Sequence, residues 1–141
     1  MNANETKRVI AVALEQKRFV MEALWTLFLP SIQKVIEWIQ EDRIGEVKVI
    51  QANFGYSGNN DPQGRLLNPD LGGGALLDVG IYPVLMANFI AKSTPESLGA
   101  QANFTNTGVD GSTLINFKYS NGMLALLGAS IEVNLINDLV I

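Results

Sequence analysis

Apolar residues recur along this chain first with a helical period and, from Leu98 onward, with a strand period. Over residues 4–17, Ile10, Ala13 and Leu14 fall at i, i+3 and i+4. Glu5, Lys7, Arg8, Gln16 and Lys17 keep the other side polar, which predicts an amphipathic helix capped by Asn4. Phe19-Val20-Met21 reads as a short strand directly after it. From Pro30 to Arg43, Ile32, Val35, Ile36 and Ile39 recur at i, i+3, i+4 and i+7. Pro30 suits the first helical position and Gly45 closes the element. Glu46 to Phe54, rich in Val and Ile, predicts a strand. Residues 55–73, rich in Gly, Asn, Asp and Pro, predict a long loop, of a length that is usually functional or mobile. A helix follows from about Gly74 to Ala91. Pro83 has no N–H for the Val79 carbonyl, so it either kinks this helix beside Tyr82 or begins a second one.

The last third alternates. Leu98, Ala100, Ala102 and Phe104 share one side of a strand, as do Ile115, Phe117 and Tyr119. Asn121-Gly122 signals a type I′ turn, and Met123, Ala125, Leu127, Ala129 and Ile131 answer beyond it, giving a hairpin of about 112–119 with 123–133. Leu139-Val140-Ile141 is strand-like. The expected class is α+β: a predominantly antiparallel open sheet with short connections and helices packed on one face. Leu124 and Leu126 oppose Ala125 and Leu127, so the C-terminal strands are apolar on both sides. The open face is therefore either a homo-oligomer interface or a solvated surface.

Composition narrows the chemistry. A chain of 141 residues is one domain, or one domain with a piece of another. The net charge of −4 and ten scattered basic residues argue against nucleic acid and against a membrane surface. The apolar stretch Ala75–Ala91 holds Asp78, Pro83 and Asn88 and reads as a core helix rather than a membrane span. Val9–Leu14 is too short for a signal peptide, so a cytoplasmic location is expected. There is no cysteine and no histidine, which removes disulfides, imidazole catalysis and the usual metal ligand sets; no metal site is expected. Proton transfer falls to Asp, Glu, Lys or Tyr. The chain opens on a helix and strand with no earlier partner strand and ends inside an apolar strand, so it reads as truncated.

The densest candidate chemistry lies in Arg65-Leu66-Leu67-Asn68-Pro69-Asp70-Leu71-Gly72-Gly73-Gly74-Ala75-Leu76-Leu77-Asp78-Val79-Gly80-Ile81-Tyr82-Pro83. Asp78 and Tyr82 stand four residues apart, on one helix face, where a glycine-rich loop enters the helix. Read from the residues alone, the pair is either catalytic or a local hydrogen-bonded pair. Trp25 is either core or a cleft wall. Arg65 lines a cleft or anchors the loop, and Glu22 faces a cleft or satisfies a backbone amide.

That stretch, with Met21-Glu22-Ala23-Leu24-Trp25-Thr26-Leu27-Phe28-Leu29-Pro30, Ile44-Gly45-Glu46-Val47 and Gly108-Val109-Asp110, resembles the Gfo/Idh/MocA oxidoreductases, closest to the branch similar to dimeric dihydrodiol dehydrogenases. The resemblance covers nearly the whole chain. It implies a two-domain enzyme, a Rossmann domain for NAD or NADP followed by a substrate-binding and dimerisation domain. Residues 1–22 would be the end of the first and 23–141 the second, cut short at its C-terminal end. It implies that Tyr82 is the general acid/base and Asp78 its positioning partner. Trp25 would stand near the nicotinamide and the substrate; Arg65 and Glu22 are further substrate-contact candidates on their own position in the chain. Leu27 departs from the Arg common in the branch. The family's Glu-Lys-Pro motif would lie before residue 1, and its lysine is the cation a phenol needs to work at neutral pH. No Gly-x-Gly-x-x-Gly follows a strand, so no cofactor is expected on this piece alone, which would be inactive. The alternative is a stand-alone binding or assembly module that kept the sheet and lost the chemistry.

Overall fold

Residues 2–141 are described by a computed structural model. Helix α1 spans Ala3–Glu15, and its cap is Asn2 rather than Asn4: the Asn2 side-chain oxygen accepts from the Asn4 and Glu5 amides at 3.0 and 3.1 Å. No α1 residue is buried. Phe19-Val20-Met21 is not a strand; it joins no ladder of the sheet, and the Phe19 side chain is 88% exposed. A 3₁₀ turn at Trp25–Phe28 leads into α2, Pro30–Gln40, with Pro30 in its first turn. That helix ends earlier than Gly45 implies. Asp42 takes the left-handed conformation (φ +56°), and the Arg43 amide reaches back to Trp38 O at 2.9 Å, closing the helix without a glycine.

The sheet has five strands in the order β2-β3-β4-β1-β5. They are β1 Val49–Gly55, β2 Ser97–Phe104, β3 Asp110–Lys118, β4 Leu124–Ser130 and β5 Asp138–Val140. Three pairings are antiparallel, but β1 runs parallel to β4, from Val49↔Leu124 to Gly55↔Ser130. The sheet is predominantly antiparallel and open, as expected; the parallel pair departs only from the expectation of short connections. It arises because the chain leaves β1, crosses the sheet as a helix, and begins β2 at the far edge. The β2-β3-β4 meander then returns to β1. The β3–β4 turn also differs. Only Gly122 has a positive φ (+86°), and its amide donates to Tyr119 O at 2.9 Å. This is a type I turn closed by a left-handed glycine, not type I′.

The long helical run packs on one face of this sheet. It starts with a wide π turn at Leu76–Gly80 and continues as α3, Ile81–Ala91. Pro83 is the third residue of α3, and the wide turn stands directly before it, where a proline lacks a donor and crowds the preceding carbonyl. The segment Pro69–Ala91 is long and apolar enough to cross a membrane by length and composition, yet Val79, Met86 and Ala87 are buried against the sheet. One core cluster joins Ile50, Ala52, Ala87, Ile115, Phe117, Tyr119, Met123, Ala125 and Leu127. A second joins Leu66, Ala75, Val79, Ala129 and Ile131, with Phe54 and Tyr56 packed against it. Leu66 thereby ties down the long loop after β1.

Candidate functional site

The glycine run is built around close approaches. A Cβ on Gly73 would fall 2.6 Å from the Leu66 carbonyl oxygen. Gly74, at φ +117°, would place one 2.3 Å from Asp110 Oδ1. Asp110 Oδ2 accepts from the Leu76 amide at 2.7 Å and from the Thr113 hydroxyl at 2.6 Å. One carboxylate from the start of β3 thus caps the helix and sets where the next turn points.

That turn carries Asp78, and each of its carboxylate oxygens has one partner. Oδ2 accepts from the Tyr56 hydroxyl at 2.6 Å, and Oδ1 is paired with the Arg65 guanidinium. The Arg65 side chain is 67% exposed and that of Asp78 14%. Burial, then the hydrogen bond to Asp78, pushes the Tyr56 phenol above its ordinary value, so Tyr56 remains a donor through neutral pH. The hydrogen bond and charge of Asp78 hold Arg65 yet more firmly charged.

Tyr82 lies one turn further on. Its ring meets Phe54 at a centroid distance of 5.3 Å and Trp25 at 5.9 Å, both tilted by 58°. Phe54 and Tyr56 are two residues apart on one strand face, so Tyr82 and Asp78 address the same face at successive positions. The Tyr82 hydroxyl has no hydrogen-bond partner among the described residues, and Asp78 spends neither oxygen on it. A cavity of about 390 Å³ opens here, lined by Trp25, Leu29, Phe54, Tyr82, Met86 and Asp138 among others.

The structure brings the sequence candidates together in two pairs one helical turn apart, Trp25 with Tyr82 at the cavity and Arg65 with Asp78 on the preceding turn. Glu22 stands apart, exposed, accepting from the neighbouring Ala23 amide at 3.1 Å. Tyr56 and Phe54 were not among the sequence candidates. Tyr56 falls one residue past the end of β1, in what composition reads as loop, although the Phe-Gly-Tyr alternation continues the strand pattern.

Among the described residues, no three His, Cys, Asp or Glu side chains group to hold a metal. For a nicotinamide cofactor the residues fit one end only. Trp25 and Tyr82 offer flat walls to a ring. A diphosphate finds no cradle in the glycine run, because Asp110 already occupies the helix start.

Residues 32–138 match the family model described as the GFO/IDH/MocA C-terminal domain. The trans-1,2-dihydrobenzene-1,2-diol dehydrogenase of Xenopus tropicalis is 36% identical over 98% of this chain, and that of Danio rerio 32% identical over 100%. In both cases the match covers 42% of the relative, so the chain spans about two fifths of the length of these relatives. Among solved structures, a 3-ketoreductase from Actinomadura kijaniata in complex with NADP and TDP-benzene is 26% identical. It superposes with a TM-score of 0.79 over 94% of this chain and 41% of its own. A fold match with a TM-score of 0.81, at 23% identity over 89% of this chain and 39% of the other, is the aldose-aldose oxidoreductase of Caulobacter crescentus complexed with glycerol. The open five-stranded sheet, the helix that crosses it and the matched residues agree: the chain belongs to the GFO/IDH/MocA family, through its C-terminal domain.

Proposed function

We propose that this chain is the substrate-binding and dimer-forming part of an NAD(P)-dependent oxidoreductase that interconverts a hydroxyl and a carbonyl on a sugar, cyclitol or dihydrodiol. The observation that carries the proposal is Tyr82: a phenol with an uncommitted hydroxyl, ringed by aromatic side chains at a cavity, beside a firmly held carboxylate. In the direction of carbonyl reduction, Tyr82 Oη gives its proton to the substrate oxygen. In the reverse direction it receives the hydroxyl proton. The cofactor's nicotinamide, when bound, accepts or supplies the hydride. Trp25 and Phe54 fix the phenol's ring plane and keep water from its faces, and Asp78 orients a substrate hydroxyl.

Residues 1–22 would belong to a preceding dinucleotide-binding domain. The exposed Val9, Ile10, Val12 and Leu14 of α1 support this, as does the greater length of the relatives. The dimer would form through the open sheet face, where Leu114, Leu124 and Leu126 are exposed.

The test is turnover by the gene product carrying this domain, with NAD or NADP and trans-dihydrodiols, cyclitols or aldoses. Tyr82→Phe keeps both ring contacts and loses the proton, so kcat should fall by roughly a hundredfold or more with the melting temperature unchanged. No cofactor-dependent turnover on any of these substrates would refute the proposal. If Asp78→Ala and Tyr82→Phe altered stability alone, the chain would be a binding or assembly module instead.

A further inference from the structure

The two oxygens of Asp78 are held by very different partners. Tyr56 belongs to the continuation of β1: its amide donates to Ser130 O at 3.0 Å, and the Gly58 amide to Ile131 O at 2.9 Å. Its ring packs on the second core cluster. A donor anchored in this way cannot follow the carboxylate if the carboxylate turns. Arg65 comes from the loop, is two-thirds exposed, and meets the other oxygen through one nitrogen. An exposed guanidinium of this kind exchanges with solvent at little cost.

The geometry points to Tyr56 as a positioning residue for the reaction: its hydroxyl pins Asp78 Oδ2 and leaves Oδ1 as the oxygen that a substrate hydroxyl reaches when Arg65 yields its place. The inference rests on the function proposed above and adds a residue to it. Tyr56 touches neither substrate nor cofactor and acts through Asp78. Phe54 and Tyr56 divide the work of one strand face, the first supporting the ring of Tyr82 and the second the carboxylate of Asp78. The raised ionisation of Tyr56 agrees with this role, because only the protonated phenol donates.

Two measurements test it. In the complete enzyme, Tyr56→Phe removes one hydroxyl and keeps the ring. The expected result is a fall in kcat of roughly tenfold or more with KM within about twofold and the melting temperature unchanged. Arg65→Met, which removes the displaceable partner, should act on KM instead. Wild-type kinetics in Tyr56→Phe would overturn the positioning role while leaving the proposed function intact. Absence of turnover in the wild type would overturn both. In the 141-residue chain, independent of activity, the three tyrosines are titrated by their alkaline absorbance. Asp78→Asn should move one ionisation, absent in Tyr56→Phe, to lower pH. An unmoved titration would overturn the clamp itself.

Discussion

Gly74 and Asp110 are two halves of one contact. Gly74→Ala adds a methyl group 2.3 Å from Asp110 Oδ1 at a φ of +117°, where the backbone already disfavours any side chain. The expected loss is about 2–3 kcal/mol, readable as a lower midpoint in urea. A midpoint equal to wild type would show that the carboxylate simply moves aside. Tyr119 gives a pH-dependent prediction. Its buried phenol donates to Asn88 Oδ1 at 2.8 Å, its ring meets Phe117 edge-on at 6.1 Å, and burial pushes its ionisation up to about 12 from 10.0. The folded chain keeps this proton at pH values where the unfolded chain releases it. The stability it contributes is therefore intact below about pH 10 and is lost as pH rises toward about 12. Tyr119→Phe cannot ionise and should weaken that alkaline loss. Urea melts at about pH 9 and about pH 11 check this, and identical losses in both proteins would contradict it.

At the scale of elements, α1 contributes no buried residue, so removing residues 1–17 should leave the melting temperature of the sheet domain within about 2 °C. A larger drop would mean that α1 stabilises the domain. The elements legible in the sequence were those whose period is set by one buried face. In α2, Ile32, Val35, Ile36 and Ile39 are the partly buried stripe. In β3 and β4, Ile115, Phe117, Ala125 and Leu127 alternate with exposed neighbours. What sequence did not disclose depends on distant partners. The parallel β1–β4 ladder requires knowing where the chain returns after α3. Phe19-Val20-Met21 has strand composition but no edge to pair with. Asp42 closes α2 because the main chain tolerates a left-handed residue there, which no glycine announces. Asp78, Tyr82, Trp25 and Arg65 became candidates because a resemblance marked them; the Trp25–Tyr82 and Arg65–Asp78 contacts were not legible in the sequence. Tyr56 was missed because its importance lies in a hydrogen bond across 22 residues.

For the whole molecule, one sheet face carries the helix and the site, while the other presents Leu114, Leu124 and Leu126 beside Gln51, Gln101 and Asn116. Leu114 is 65% exposed. If that face joins two copies, Leu114→Lys should convert a dimer to a monomer in analytical ultracentrifugation with little change in stability; a wild-type monomer would contradict the interface. The central claim is that this chain holds the substrate and proton-transfer side of an oxidoreductase, and that its glycine run serves the packing of a loop and not a phosphate. The most direct test is a fluorescence titration of the 141-residue chain with NADPH and NADH. The account predicts no saturable binding up to millimolar concentrations. Saturable binding in the micromolar range would show that these residues hold the cofactor by themselves, and would contradict the division of labour argued from Gly74, Asp110 and Tyr82.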